Sequence, residues 1–243
     1  MTPDRKTAGE DISAAAVLDP TLPLDQAVTP GTATPVSGVL SAAPNKDITI
    51  GLAPASAADD SELVSTVVTL VNNAYADAEH GIFHAGYQRT SSAEISGFIR
   101  QGRLALAYLN ASPANDSPVT GSRSGEASGQ RHVIGCVHVK LLSPTLGDFA
   151  MLALDANHRG GGLARKLVLF AEDHCRKKGC TLMQLELLVP TSFEHAGKAR
   201  MQAWYLRMGY RVVKLGSFQE EYPALAPLLA GPADYRIFEK EFV

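Results

Sequence analysis

A glycine-rich turn carries the clearest chemical signal in this chain. It occupies Arg159–Ala164, contains three consecutive glycines, and separates the apolar run Phe149–Leu154 from a segment with the period of a helix. A helix that begins at such a turn has free backbone N–H groups and a positive dipole end, which together bind phosphate oxygens. Glycine has no Cβ to keep a ligand away from these groups. The turn therefore predicts a binding site for a phosphate-containing ligand.

The spacing around this turn excludes two common nucleotide-binding motifs. A P-loop has Lys-Ser or Lys-Thr after its last glycine, and this chain has neither there. A dinucleotide fingerprint has a small residue three positions after Gly162, where Arg165 stands. The pattern that remains is Arg159-x-x-Gly162-x-Ala164. Taken alone, this pattern also fits a plain connection from a strand to a helix.

The pattern resembles the Arg/Gln-x-x-Gly-x-Gly/Ala signature with which the GCN5-related N-acetyltransferase (GNAT) superfamily binds the pyrophosphate of acetyl-CoA. A second segment supports the resemblance, because Trp204-Tyr205 is followed by Gly209-Tyr210, as in the GNAT helix that ends Leu-Tyr-x-x-x-Gly-Phe. The resemblance covers roughly residues 46–243, and the chain looks most like the small fungal and bacterial GNATs. It implies an acetyl-CoA-dependent N-acetyltransferase with a mixed α/β fold, in which helices flank a central, mostly antiparallel, twisted sheet.

The resemblance also implies where acetyl-CoA binds as the cosubstrate. In the family, a bulge in the strand before the glycine-rich turn supplies a backbone N–H group to the thioester carbonyl, where negative charge develops. By position, this bulge falls on Leu152–Leu154. Lys198 stands where the family often has an asparagine, so the chain departs from the family there. The expected cofactor-binding residues are Leu152, Ala153, Leu154, Arg159, Gly160, Gly161, Gly162, Leu163, Ala164, Arg165 and Lys198.

Tyr205 is the residue expected to protonate the leaving thiolate. A phenol with a pKa near ~10 can donate to a thiolate with a pKa near ~8.5 at little energetic cost. Tyr205 matches the position of the tyrosine that often has this role in the family. The competing interpretation is an aromatic side chain that only packs on a helix face.

An amine acceptor must also lose a proton, because an alkylammonium with a pKa near ~10 is almost fully protonated at neutral pH. Glu186 lies inside an apolar strand, where loss of solvent raises the pKa of a carboxyl group. Glu79 follows the first long helix, on the side where the acceptor enters in this fold. His195 and Asp148 are further candidates for the base. The sequence ranks Glu186 first and Glu79 second and leaves all four open.

The acceptor pocket of this fold lies between the first two helices and the C-terminal strands. The residues expected there are mainly aromatic: Tyr75, Phe83, His84, Tyr87, Phe193, Trp204 and Tyr222. Such a lining suits a small or partly apolar amine better than a basic peptide, so we predict direct transfer to a small amine in a ternary complex. Two alternatives stay open: a protein or peptide N-acetyltransferase with an open groove, and a non-catalytic acyl-CoA-binding module.

The composition argues against several other classes of protein. A net charge of −3 and a pI near 6.2 give no electrostatic case for nucleic-acid binding. No apolar run approaches the ~18 residues that span a bilayer. The three cysteines form no Cys-x-x-Cys pair, which favours a reducing, cytoplasmic location. We expect a monomer or homodimer with neither a nucleic-acid nor a membrane partner.

A metal site is not expected either. His80 and His84 are spaced by four, as two ligands on one helix face would be. Gly81 and Gly86 disfavour a regular helix at this point, and the sequence offers no third ligand nearby.

The remaining sequence predicts the elements that position these residues. Residues 1–45 are read as a flexible N-terminal arm, residues 46–243 as the acetyltransferase domain, and residues 111–131 as a mobile hairpin loop. Hydrophobic periodicity predicts the order β-α-α-β-β-β-α-β-α-β-β.

Three helix details follow from the same pattern. Asp59 and Glu62 are spaced as a capping box for the first helix, and the second begins near Ser91. The helix after the glycine-rich turn is expected to end near Gly179. Its buried face is expected to contain Leu163, Leu167, Phe170, Ala171 and His174.

Overall fold

The computed structural model describes residues 48–110 and 131–242, which form a seven-stranded sheet with helices on both faces. The predicted arm, residues 1–45, and the predicted loop, apart from Arg131, lie outside these residues. Within the described ranges, the predicted order of strands and helices is confirmed, with one additional short helix before the last strand.

The elements have the following bounds. The strands are β1 (Ile48–Leu52), β2 (Leu104–Leu109), β3 (His132–Leu141), β4 (Leu146–Leu154), β5 (Leu182–Pro190), β6 (Arg211–Gly216) and β7 (Ala233–Glu241). The helices are α1 (Ser61–Ala78), α2 (Ser92–Arg100), α3 (Leu163–Lys177), α4 (Ala196–Arg207) and α5 (Phe218–Glu221).

The sheet is mostly antiparallel, as the sequence predicts. Its strand order is β1-β2-β3-β4-β5-β7-β6, and only β4 and β5 run parallel to each other. Parallel neighbours need a crossover connection, which α3 supplies here.

Alternation along the strands produces two separate apolar cores. On β4, Met151 and Ala153 pack toward α1 and α2, whereas Leu152 and Leu154 pack toward α3 and α4. Successive side chains of a strand point to opposite faces, so β4 contributes to both cores. The fold therefore places α1 and α2 on one face of the sheet and α3 and α4 on the other.

The start of α1 differs from the prediction by one residue. Asp60, and not Asp59, caps this helix, because its side chain accepts hydrogen bonds from the backbone N–H groups of Glu62 and Leu63. A 3-10 turn over Ala55–Asp59 precedes the helix and delays its start. The start of α2 is as predicted, with Ser91 as its cap.

The buried face of α3 is also rotated from the predicted one. Phe170 and His174 are only half-buried, which corrects the expectation for these two residues. The inner positions belong instead to Ala164, Val168 and Cys175, together with the correctly predicted Leu163, Leu167 and Ala171. On this face α3 lies close to β4, since a Cβ at Gly147 would lie 2.5 Å from the sulfur of Cys175.

The parallel strands β4 and β5 stay together only at one end. They pair through Leu146–Asp148 and Leu182–Gln184, and beyond these residues each strand continues without pairing to the other. Their outer edges remain paired, β4 with β3 and β5 with β7. We call the resulting gap in the sheet the β4–β5 opening. Backbone groups that line it are not used by the sheet.

Candidate functional site

A bulge in β4 lies at the β4–β5 opening. Cys136 and His138 of β3 pair with Ala153 and Ala150 of β4, so β4 contains one residue more than β3 across this step. Met151 has a φ of 48°, a left-handed conformation that is uncommon for a residue with a side chain. Such bulges turn backbone groups away from the regular ladder.

The bulge coincides with the segment expected to bind the thioester carbonyl. The expected residues Leu152, Ala153 and Leu154 follow Met151 directly, and all three are buried. Met151 itself lies one residue before the predicted segment, and nothing in its apolar side chain signals its conformation. The structure thus supplies a bent backbone edge at the opening, which is the geometry that a carbonyl-binding N–H group requires.

The glycine-rich turn leads into α3 as predicted. Gly160 and Gly162 both have a φ of 78°, and Gly162 caps α3 without help from a side chain. The first backbone bond of the helix runs from Lys166 N–H to Gly162 C=O. The preceding N–H groups, those of Leu163, Ala164 and Arg165, therefore have no acceptor within the helix.

The space around this turn is open. A Cβ added at Gly161 or Gly162 would meet no heavy atom within 4 Å, and both residues are exposed. Arg165 is exposed as well, on the first turn of α3. Arg159 folds back instead: its side chain is 14% exposed and its guanidinium lies 3.9 Å from the Asp77 carboxylate on α1. Uncommitted N–H groups, open space and adjacent cations are what an anion site needs.

Tyr205 lies on the other side of the opening. Its ring is fully buried between the rings of Phe149, Tyr210 and Phe238, at centroid distances of 6.0 to 6.1 Å. Phe149 is the first residue of β4 after the last pair with β5. The expected acid therefore stands where the two strands begin to separate, in a site closed to bulk water.

Glu79 and Lys198 form an ion pair that was not foreseen from the sequence. Lys198 Nζ lies 3.3 Å from Glu79 Oε1, with side-chain exposures of 0% and 2%. Burial lowers the pKa of Lys198, and the negative charge of Glu79 opposes this shift. Glu79 Oε2 is also buried, and among the residues that the structure describes it has no hydrogen-bond partner. Lys198 was expected near the cofactor, whereas the structure directs its amine to Glu79.

His195 lies beside this pair as the cap of α4. Its Nδ1 accepts a hydrogen bond from the backbone N–H of Lys198, at 3.3 Å. Burial, and then the positive charge of Lys198, lower the pKa of His195 below its usual value. A neutral ring whose Nδ1 accepts must carry its proton on Nε2. His195 thus presents a donor rather than a base on its remaining nitrogen.

Glu186 and Asp148 interact with other residues than Glu79 does. Both oxygens of Glu186 accept hydrogen bonds, from the Tyr222 hydroxyl at 2.8 Å and from Gln184 at 3.3 Å. Burial and the charge of Glu186 raise the pKa of Tyr222 well above its usual range. Asp148 is fully buried at the paired end of β4, 3.8 Å from Lys140.

Arg89 is a further buried charge whose burial the sequence does not reveal. Its side chain is buried and its guanidinium lies 5.1 Å from the ring centre of Tyr75 on α1. Its charge acts on Tyr75, Tyr87 and Lys198. No local pattern predicts this burial, because arginine in a polar loop is normally exposed.

The acceptor side of the site is covered by two connected loops. The loop after α1 and the β6–β7 connection are joined by His84 N–H to Leu228 C=O and by Ala230 N–H to Ile82 C=O, each at 2.9 Å. An isolated β-bridge between Phe83 and Leu229 lies in the same place. The aromatic cluster beneath contains the expected Phe83, Tyr87 and Tyr222, together with Phe218 and Tyr235, which the sequence does not predict there. Trp204, expected in this pocket, packs instead on the α3–α4 side.

A candidate metal site and a membrane-spanning helix are both absent from the part of the chain that the structure describes. Residues 48–110 and 131–242 contain no group of three or more His, Cys, Asp or Glu side chains that could hold a metal ion. In the same part of the chain, no helix has the length and apolarity to cross a bilayer.

Comparison with known proteins adds a family and a fold. Residues 126–212 match the family described as an acetyltransferase (GNAT) domain, and no match was found among curated proteins. PaiA N-acetyltransferase from Thermoplasma acidophilum, solved in complex with coenzyme A, has a TM-score of 0.53 at 15% identity, covering 81% of this chain and 99% of that chain. The NatC complex bound to Gag peptide and CoA has a TM-score of 0.49 at 19% identity, covering 81% and 99%. The first of these structures shares the fold.

Proposed function

We propose that this chain, of which residues 126–212 match the GNAT acetyltransferase domain, transfers the acetyl group of acetyl-CoA directly to a small amine. The observation that carries this proposal is the β4–β5 opening with the glycine-rich turn at its end. A long thioester can lie along the unpaired edge of β4 while its phosphates meet the N–H groups of Leu163, Ala164 and Arg165. The structure of PaiA N-acetyltransferase was solved with coenzyme A, which supports this assignment.

The chain's own residues divide the work of acetyl transfer. Acetyl-CoA supplies the acetyl group as a thioester. The backbone of the Met151–Leu152 bulge stabilises the negative charge that develops on the carbonyl oxygen when the amine nitrogen attacks. As the carbon–sulfur bond breaks, Tyr205 donates its phenolic proton to the departing thiolate. The attached nitrogen, positively charged after the attack, releases its second proton as the amide forms, and this proton restores the Tyr205 phenol.

The geometry favours Glu79 over Glu186 as the base. Both oxygens of Glu186 already accept hydrogen bonds, from Tyr222 and Gln184. Glu79 has one oxygen held by Lys198 and one buried oxygen without a hydrogen-bond partner in the described part of the chain. An acceptor ammonium that binds this oxygen can pass its proton to it and then attack as the neutral amine.

Two buried cysteines are poor nucleophiles, which supports direct transfer over an acetyl-enzyme intermediate. Burial raises the pKa of Cys136 and of Cys175 to about 12, so both remain thiols at neutral pH. A thiol is a weak nucleophile toward a thioester, because the thiolate is the reactive form. We therefore do not expect either residue to form an acetyl-enzyme intermediate.

The covered acceptor side favours a small amine over an extended peptide. The loop after α1 and the β6–β7 connection are hydrogen-bonded to each other above the aromatic cluster. A peptide acceptor needs a groove in which its backbone can lie, and this contact closes the groove between the two segments. The hypothesis of a small, partly apolar amine is therefore retained.

Calorimetry with acetyl-CoA tests the proposal. We expect the wild type to bind and Gly162→Trp to bind at least about tenfold more weakly, because an indole fills the phosphate space. Gly102→Trp is the matched control, since Gly102 also has a positive φ, of 63°, and open space, but lies at the end of α2. It should bind as the wild type does.

The outcomes of this experiment separate the alternatives. Absence of binding by the wild type would overturn the proposal. Binding without CoA release on any amine or peptide would identify a non-catalytic acyl-CoA-binding module. Release with peptides but not with small amines would show that the two acceptor-side loops separate in solution.

A further inference from the structure

The buried ion pair of Glu79 and Lys198 has a role in recognising the acceptor. We propose that Lys198 is a positioning residue that holds the Glu79 carboxylate so that its second oxygen binds the acceptor ammonium. This inference rests on the proposed function and deepens it. It assigns to Lys198 a role that differs from the cofactor contact expected from its sequence position.

The pair connects the two faces of the sheet through the β4–β5 opening. Glu79 directly follows α1, which packs on one face, and Lys198 lies in the first turn of α4, which packs on the other. Their side chains meet at 3.3 Å. A contact between opposite faces is possible because β4 and β5 do not pair beyond Asp148 and Gln184. We therefore place the pair beside the β4–β5 opening.

Lys198 and Tyr205 also lie on the same side of α4. They are seven residues apart, which corresponds to two helical turns, and both are fully buried. The carboxylate that Lys198 holds is thus linked through one rigid helix to the expected acid. This arrangement fixes the position of the proton-accepting carboxylate relative to the proton-donating phenol.

Stability does not explain the pair. Taking two charges out of water costs more than their attraction often returns, and a buried ion pair can frequently be replaced by apolar residues without loss. In addition, Glu79 Oε2 is a buried acceptor without a donor among the described residues, which is unfavourable unless a ligand supplies the donor. A ligand with an N–H group, such as an ammonium ion, satisfies this oxygen.

The charged and titratable neighbours of Glu79 come from every element around it. Tyr75 lies on α1, Tyr87 and Arg89 lie on the loop before α2, and Lys198 and His195 lie at the start of α4. The Tyr87 hydroxyl is buried too, and within residues 48–110 and 131–242 it has no hydrogen-bond partner. Its ring stacks on Phe83 at 4.0 Å, at the edge of the aromatic cluster.

These surroundings define the class of acceptor. The ligand carries a primary ammonium group, which donates to Glu79 Oε2 and can donate to the Tyr87 hydroxyl. Because the Tyr87 ring that carries this hydroxyl stacks on Phe83, we expect the carbon atoms next to the ammonium to carry an apolar or aromatic substituent. Proton transfer to Glu79 Oε2 then leaves a neutral amine. An aromatic alkylamine such as phenethylamine is the probe that follows from this chemistry.

Lys198→Met tests the inference with phenethylamine and acetyl-CoA. We expect kcat/KM for the amine to fall by about tenfold to a hundredfold, because the carboxylate loses the group that orients it. Part of this loss should appear as a higher KM for the amine, because the oxygen that Lys198 orients binds the ammonium group. Acetyl-CoA affinity, measured by calorimetry, should stay unchanged.

The double variant Glu79→Gln/Lys198→Met keeps the test independent of folding defects in the single variant. It removes both charges together, so no unpaired charge is left buried. If Lys198 acts only through Glu79, the double variant has the kcat/KM of Glu79→Gln alone. A further tenfold loss in the double variant would overturn the inference.

Two other outcomes would contradict the proposed role of Lys198. An unchanged KM for the amine and an unchanged kcat/KM in Lys198→Met would show that the cation does not position Glu79. Weaker acetyl-CoA binding by this variant would indicate that Lys198 contacts the cosubstrate instead. Absence of acetyl-CoA binding by the wild type would instead refute the proposed function, so the two failures are distinguishable.

Discussion

Tyr205 and Tyr210 both pack on Phe149 in the core beneath α3 and α4, but they differ in their position relative to the β4–β5 opening. The Tyr210 hydroxyl donates to Glu172 at 2.8 Å, and Lys240 binds the same carboxylate at 2.8 Å. Burial and the charge of Glu172 raise the pKa of Tyr210 well above its usual range. Tyr205 is the tyrosine of α4 that packs on Phe149, where the strands separate. These two residues therefore form a matched pair for mutation.

We expect Tyr205→Phe to lower kcat by about a hundredfold, because the thiolate loses its proton donor. The loss should be measured across the pH range with the amine in excess, and acetyl-CoA affinity should be retained. Tyr210→Phe is the control: it should lower the free energy of unfolding by about 1–3 kcal/mol, through the lost bond to a buried carboxylate, and retain kcat. Equal kcat values for Tyr205→Phe and the wild type would remove Tyr205 from the mechanism.

At the scale of elements, β4 brings the parts of the site together. It pairs with β5 at its start, bends at Met151, and leads into the glycine-rich turn. Its position relative to α3 depends on Gly147, where a Cβ would lie 2.5 Å from Cys175 Sγ and 2.8 Å from Cys175 Cβ. The helix can approach the sheet so closely only because this side chain is absent.

Gly147→Ala should therefore lower the free energy of unfolding by about 1–3 kcal/mol, since the added methyl group overpacks a closed core. Denaturant titration measures the change. Gly51→Ala on β1 is the control, because a Cβ there meets no atom within 4 Å. If both variants had the wild-type midpoint, α3 would have to be more loosely packed on β4 than the structure indicates.

At the scale of the whole molecule, His138 couples stability to pH. It is buried on β3 and stacked on Phe98 of α2 at 4.0 Å. Burial is the largest cause that lowers the pKa of His138 well below its usual value, and the charges of Lys140, Arg103 and Arg89 lower it further. Neither ring nitrogen has a hydrogen-bond partner among the described residues.

Stability should fall as the pH decreases below about 6.5, the usual pKa of histidine. In that range the unfolded chain binds a proton at His138 that the folded chain does not, so acid favours unfolding. Below this pH the contribution reaches about 1.4 kcal/mol per pH unit. Above it, the effect disappears, because the residue is neutral in both states.

His138→Phe removes this contribution and retains the stacking on Phe98. We expect the variant to be at least as stable as the wild type at pH 7.5, and its advantage to grow at pH 5. Thermal or denaturant unfolding at the two pH values measures the difference. Parallel loss of stability in both proteins between pH 7.5 and pH 5 would show that His138 is protonated in the folded state.

The sequence by itself determined the parts of this protein that depend on neighbouring residues. The glycine-rich turn, the start of α2 and the order of the elements are local patterns of period, capping and backbone freedom. The two GNAT-like segments lie in contiguous stretches as well. Both fall within residues 126–212, which match the GNAT acetyltransferase domain, and the predicted fold is confirmed. Where a local alternative was nearly equal, as for Asp59 and Asp60, the prediction missed by one residue.

The tertiary structure alone decided which residues meet at the site. Glu79 and Lys198 are 119 positions apart, and neither residue carries a local sign of the other. The left-handed conformation of Met151 follows from an unequal pairing with β3, and the opening beside it follows from the early end of pairing with β5. Long-range contacts depend on how whole elements pack against one another, which local preferences do not specify. For this reason the hydrogen bonds of the two carboxylates, and no local pattern, favour Glu79 over Glu186 as the candidate base.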